Sequence, residues 1–136
     1  MNWKLILQLS LFGLAMAIGT VFLIPPTVEA ACWLVILLIS SYVIARRCAT
    51  QRFQHGIYLG MANAVWITAS RLLFFDRYLA AHPQDAAMIN SMPIEGMGKS
   101  ILLFTGPFTG ILTGAAIGIL AVAAGRLLRS AAPQNP

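Results

Sequence analysis

Charge is scarce in this chain. Only 10% of its residues are Asp, Glu, Lys or Arg and 59% are hydrophobic, whereas about a quarter of a soluble domain is charged. This composition excludes an ordinary soluble domain and, with a mean hydropathy of +0.80, predicts an integral membrane protein. Since each membrane span needs about 20 apolar residues, the 136 residues have room for about four spans.

Cysteine and histidine are also rare. Cys32 and Cys48 would lie about 24 Å apart along a helix, too far for a disulfide. No CxxC pair is present, so we expect neither thiol–disulfide chemistry nor a structural zinc site. His55 and His82 lie at opposite ends of one apolar segment and cannot share a haem within one chain. We therefore predict no metal and no cofactor.

Acids are confined to the connecting segments. The four in the chain are Glu29, Asp76, Asp85 and Glu95, and the first apolar segment holds none. Small multidrug exporters need a membrane-embedded glutamate, and an intramembrane hydrolase needs a set of reactive groups within its spans. The sequence offers neither and no HExxH motif, so we predict a protein that is not an enzyme.

The hydrophobic residues form four segments, over residues 5–24, 30–45, 56–75 and 101–125. They predict an all-α, polytopic membrane protein with one domain over residues 1–130 and a disordered tail over 131–136. Pro25 and Pro26 end the first helix and predict a tight antiparallel hairpin with the second. The first segment is longer than a signal-peptide core, and Glu29 occupies a position where a lipoprotein signal has an aliphatic residue. We expect the segment to be retained as a span.

Basic residues predict the orientation. With a cytoplasmic N-terminus, the inner side holds Lys4, Arg46, Arg47, Arg52, Arg126 and Arg129, and the outer side holds every acid with Arg77 and Lys99. This arrangement obeys the positive-inside rule and predicts a bacterial inner membrane protein with both termini in the cytoplasm. The net charge of +5 then reflects contact with anionic lipid heads rather than nucleic acid. Trp33 and Tyr78 are expected in the outer aromatic belt.

The outer loop between the third and fourth spans is long enough to hold structure. Pro83 suits the first position of a helix, and Asp85 suits its first turn because a negative charge favours the helix N-terminus. We predict a short interfacial helix from about Pro83 to Met92.

Glycines recur every four residues in the fourth span. Overlapping GxxxG units let another helix backbone approach closely, and a related small face occurs in the third span. The predicted helix-packing residues are Gly106, Gly110, Gly114, Gly118, Gly56 and Gly60. The face is expected to pack within the monomer, although packing between chains stays open.

The third span also carries the strongest polar candidates, Asn63, Trp66, Ser70 and Arg71, followed by Asp76. Asn63 should face the bundle, because an amide in hydrocarbon is costly. Arg71 lies only about 7.5 Å below the boundary that Asp76 marks, so it either extends to the interface or pairs with another group. The candidate partners of Asn63 are Gln8, Ala15 and Gly19 in the first span and Ser40 and Ser41 in the second.

These observations predict a small, non-enzymatic membrane protein whose partners are the lipid bilayer and either other membrane subunits or a second copy. The favoured function is an accessory or complex subunit that packs through its glycine faces. The alternative is an oligomeric transporter or channel, or a lipid or quinone binder, with Asn63, Trp66 and Arg71 lining its site.

Overall fold

The computed structural model describes residues 1–94 and 96–130, and every regular element among them is an α-helix. The prediction of an all-α membrane protein is confirmed in that three helices, α1, α2 and α6, are each long and apolar enough to cross a membrane. The predicted disordered tail and Glu95 lie outside the described residues. The helices are α1 (Trp3–Phe22), α2 (Pro26–Arg47), α3 (Arg52–Leu73), α4 (Phe75–Ala81), α5 (Pro83–Asn90) and α6 (Met97–Ser130).

The connection between α1 and α2 is as short as the two prolines predict. The N–H groups of Leu23 and Ile24 both donate to the Gly19 carbonyl oxygen, at 2.7 and 2.8 Å, and Pro26 begins α2. A proline suits this first position because its missing N–H would have no partner there.

The predicted α1–α2 hairpin was wrong in its packing, because these two helices contact each other little and pack mainly on other helices. Gly13 of α1 faces the Asn63 side chain of α3. Ser41 of α2 donates to the Ile117 carbonyl oxygen of α6, at 3.3 Å. Small and polar residues of α1 and α2 thus contact α3 and α6 instead of each other.

The closest helix contact joins α3 to α6. A Cβ atom added at Gly56 would strike the backbone of Gly114 and Gly118, and one at Gly60 would strike the backbone of Gly110 and Gly114. The glycines of the two helices therefore oppose each other within one chain. This close approach maximises van der Waals contact, which stabilises helix pairs where water is absent.

The bundle has a basic end. There the Asn2 backbone N–H donates to His55 Nε2 at 2.9 Å, and the Arg129 guanidinium donates to the Ala49 carbonyl oxygen at 3.1 Å. Apolar residues of α1, α2, α3 and α6 form a buried cluster beneath it: Leu5, Ile6, Leu9, Ile44, Cys48, Leu59, Ile117 and Ala121. Both cysteines are free, as the sequence predicts.

At the opposite end the chain bends by 95° between α3 and α4. The helix that the sequence predicts near Pro83 is α5, and α4 before it was not predicted. None of the α5 residues is buried, so α5 depends on a few specific contacts for its position. These contacts belong to the polar cluster described next.

Candidate functional site

The end of the bundle opposite the basic end holds Glu29, Asp76 and Asp85, and we call it the acidic end. Glu29, in the first turn of α2, is the centre of a polar cluster there. Its Oε1 accepts a hydrogen bond from Trp33 Nε1 at 3.2 Å and lies 3.6 Å from Arg71 Nη2. Its Oε2 lies 3.2 Å from His82 Nε2. A single carboxylate therefore joins α2, the last turn of α3 and the residue that follows α4.

His82 is 7% exposed, and each of its ring nitrogens faces an acceptor. Nδ1 lies 3.0 Å from the Tyr78 carbonyl oxygen, and Nε2 faces Glu29. An imidazolium can donate to both, whereas a neutral ring leaves one contact without a proton. His55 differs, because its Nδ1 donates to the Gln51 carbonyl oxygen while its Nε2 accepts from a backbone N–H. His55 is therefore satisfied as a neutral ring.

Tyr78 is the most buried member of the cluster, at 1% exposed. Its ring does not face lipid, because it lies between two cluster residues. His82 stacks on it with ring centroids 4.3 Å apart, and Arg71 Cζ lies 4.6 Å from its centroid. Its hydroxyl donates to Asp85 of α5. Burial, and then this hydrogen bond, raise the pKa of Tyr78, so the hydroxyl stays a donor.

Arg71 also lines a cavity between α3 and α6. The cavity has a volume of about 60 Å³, and its polar wall includes Thr68, Thr105 and Thr109. Arg71 Nε is buried and has no hydrogen-bond partner among the described residues. The Thr105 and Thr109 hydroxyls donate to carbonyl oxygens of their own helix. Arg71 thus has a hydrogen-bond donor that no described protein group uses.

No known protein family, curated protein or solved structure matches the chain. What the chain can bind therefore follows from the geometry of its own residues.

The other polar candidates lie apart from the cluster. Trp66 Nε1 donates to Ser10 Oγ of α1 at 3.4 Å, and Ser70 is buried in α3. Asp76 is exposed in the first turn of α4. The acid that faces Arg71 is Glu29, although Asp76 is nearer in sequence, because the bend after α3 carries Asp76 away.

Asn63 corrects a prediction. It is buried, but its Oδ1 accepts no hydrogen bond from any described residue. The side chain lies against Gly13, where the absence of a Cβ leaves room for it. The proposed partner Gln8 is exposed on α1 and does not reach it. The Asn63 side chain therefore fills the space beside Gly13, and its Oδ1 has no hydrogen-bond partner among the described residues.

Sequence reasoning did not assign Glu29, Trp33, Tyr78, His82 or Asp85 to a site. Part of the cluster has a local signal, since Tyr78 and His82 are four residues apart on one helical face, as are Glu29 and Trp33. The contact between the two groups depends on how α2 packs beside α3, and helical periodicity contains no information on it.

Proposed function

We propose that this chain is a non-enzymatic protein of a bacterial inner membrane that crosses the bilayer four times and binds an amphiphile of the lipid or quinone class. The ligand presents a neutral carbonyl oxygen to Arg71 from the outer leaflet. The observation that carries this proposal is the buried Arg71 Nε–H, which has no acceptor among the described residues and belongs to a residue that lines a cavity.

The fourth crossing in this proposal is α3. Alone it is too polar to count as a span, and it qualifies only together with α4. However, its polar residues His55, Asn63 and Ser70 are buried between helices. One end of α3 lies by the basic end of α6, where Gly125 meets Arg52, and its other end meets Glu29. Its 22 residues thus extend along the whole bundle, about 33 Å.

Orientation follows from the charges at the two ends. The positive-inside rule counts Lys and Arg, and it assigns the basic end to the cytoplasm and the end that holds the polar cluster to the outside. The basic end holds Lys4, Arg46, Arg47, Arg52, Arg126 and Arg129. A periplasm-active reporter fused after Arg129 should be silent, and one inserted after Asn90 should be active. The reverse result would overturn the orientation.

The ligand group should be neutral because Arg71 already faces a carboxylate. Its Nη2 lies 3.6 Å from Glu29 Oε1, and a second carboxylate, Asp85, accepts a hydrogen bond from Tyr78, whose ring Arg71 contacts. An added anion would leave a net charge in a poorly solvated site, which is costly. A carbonyl oxygen can accept the Arg71 Nε–H without this cost.

The size of the cavity further limits which part of a ligand it can hold. The cavity is small, at about 60 Å³, so we expect the ligand to enter it by a polar group such as a carbonyl while its apolar body stays in the surrounding lipid. Quinones and ester lipids both have a carbonyl on an apolar body.

Arg71→Lys is the sharpest test. Lysine keeps the charge that faces Glu29 but has no counterpart of the Nε–H. The full chain, purified in mild detergent, would be titrated with a short-chain ubiquinone and with diacylglycerol, and bound ligand would be counted by native mass spectrometry. We expect Arg71→Lys to weaken binding of one of them about tenfold, the effect of one hydrogen bond to a charged group.

Arg77→Lys is the matched control, because Arg77 lies outside the cavity. It should leave the binding unchanged. Equal binding by the wild-type protein and Arg71→Lys, or no binding of either ligand, would contradict the proposal.

The same measurement addresses the accessory-subunit function. The glycine faces that favoured it oppose each other within one chain, so a partner would need another surface. A lone monomer that keeps a bound ligand supports the binder, whereas a stable complex with a second polypeptide supports the subunit.

A further inference from the structure

A second recess lies at the acidic end, on the other side of the bend after α3. It is an open groove of about 550 Å³ between the last turn of α1, the α1–α2 turn and α4. Its walls are mostly apolar and include Phe22, Leu23, Pro25 and Ala80. This volume falls within the range of small-molecule sites, and no residue of the Arg71 cavity contributes to it.

Arg77 of α4 is the one charged residue among the described residues that line this groove. Its Cζ lies 5.7 Å from the centroid of the Phe22 ring, and among the described residues no carboxylate lies within ion-pair distance of it. Arg71, in contrast, faces Glu29 at 3.6 Å. The two arginines therefore differ in the partner they require, since of the two only Arg77 has no carboxylate partner among the described residues.

Two of the backbone carbonyl oxygens beside the groove, which a cation would need, already accept hydrogen bonds. The Gly19 carbonyl oxygen accepts from Leu23 and Ile24, and the Pro25 carbonyl oxygen accepts from Val28. The outer rim is hydrophobic, with Leu23 84% exposed. A ligand that fits these walls has one anionic group for Arg77 and an apolar chain for Phe22 and Leu23.

The position of the groove indicates which such molecule it meets. It lies where α1 ends and where the chain bends by 95° from α3 into α4. In the four-span arrangement this is the level at which hydrocarbon gives way to lipid headgroups. Phospholipids place a phosphate at that level, directly above their acyl chains.

We infer that this groove is a binding site for an anionic phospholipid of the outer leaflet, whose phosphate pairs with Arg77 and whose acyl chain lies along Phe22 and Leu23. The inference goes beyond the function proposed above. It concerns a different arginine and requires an anionic ligand instead of a neutral one.

The test uses the full chain in mild detergent, titrated with phosphatidylglycerol and with phosphatidylcholine and followed by native mass spectrometry. We expect the wild-type protein to bind phosphatidylglycerol more tightly. Arg77→Gln should weaken that binding about fivefold, the contribution of one basic residue near an anionic headgroup, and should remove the preference. Arg77→Lys should keep most of it.

Two other variants separate a specific site from general charge attraction. Arg47→Gln removes the same charge from an exposed position at the basic end and should leave the affinity unchanged. Ala80→Phe fills the groove without altering its charge and should weaken binding of both lipids. Equal losses in Arg77→Gln and Arg47→Gln, or no preference in the wild-type protein, would overturn the inference. Arg71→Lys should bind phosphatidylglycerol normally, which distinguishes failure at one site from failure at the other.

Discussion

Glu29 and Arg71 bring the first turn of α2 against the last turn of α3, with Oε1 and Nη2 3.6 Å apart. The carboxylate also faces His82 and accepts from Trp33, so one side chain connects three segments of the acidic end. Arg71 is held on one side by this carboxylate and on another by the Tyr78 ring. Its Nε–H stays without a described acceptor, and the proposed function depends on this geometry.

Replacing Glu29 with Gln should destabilise the acidic end. Arg71 and His82 would lose their shared anion in a poorly solvated place, at a cost of roughly 1–3 kcal/mol. Thermal unfolding in detergent would measure the loss. Asp76→Asn is the control, because Asp76 is exposed, and it should change stability by less than about 0.5 kcal/mol. Equal effects of the two substitutions would show that Glu29 has no special role.

Gly60→Ala should separate α3 from α6. The new Cβ would meet backbone atoms of Gly110 and Gly114, which cannot move without shifting a helix, so we expect a loss of about 1–3 kcal/mol. Gly19→Ala is a matched change, since its Cβ would meet only the end of the Ile24 side chain, at 2.9 Å. Unfolding in a mixture of mild detergent and dodecyl sulfate would compare them. A smaller loss in Gly60→Ala than in Gly19→Ala would contradict this packing.

Gly13 and Asn63 should show coupled energetics. Gly13→Ala places a methyl group against the Asn63 amide, whereas in an Asn63→Ala background that space is free. A double-mutant cycle should therefore give a coupling energy of about 1 kcal/mol or more, with the second substitution relieving the first. Simple additivity would mean that the two residues are not in contact.

Tyr78 should make stability depend on alkaline pH. Its pKa is raised in the folded protein above the ordinary tyrosine value of about 10, so the folded state favours the protonated phenol. This contribution is fully present below pH 10 and decreases at higher pH, where the tyrosine ionises in the unfolded chain first. Unfolding temperatures between pH 8 and 11 should fall more steeply for the wild-type protein than for Tyr78→Phe. Parallel curves would refute the assignment.

Much of the fold could be predicted from the sequence because a lipid environment restricts the chain strongly. Each long helix must satisfy its own backbone and present apolar side chains to lipid. The helical character of the four segments and the end of α1 before Pro25 follow from this and from the chemistry of proline. The pairing of glycine faces within one chain also agrees with the favoured interpretation, since small residues on two helices can meet only by close backbone approach.

The candidate site was harder to predict from the sequence than the fold. The sequence identifies Arg71 as a candidate but not its partner, because Glu29 is distant in the chain. Asn63 was expected to form a hydrogen bond and instead occupies the space left by Gly13. In each case the residue was identified by its chemistry, whereas its neighbour was set by the rotation and order of the helices.

By itself, the sequence determined that the described chain is helical and apolar, with basic residues at one end and acids at the other, because composition and periodicity act locally along the chain. Only the tertiary structure decided which helices touch. It packs α3 between α1 and α6 and turns the chain by 95° after Leu73. Among the described residues this gives Arg71 a carboxylate partner and gives Arg77 none. Pairings of this kind arise from contacts between distant segments, and the two ligand chemistries proposed for the acidic end follow from them.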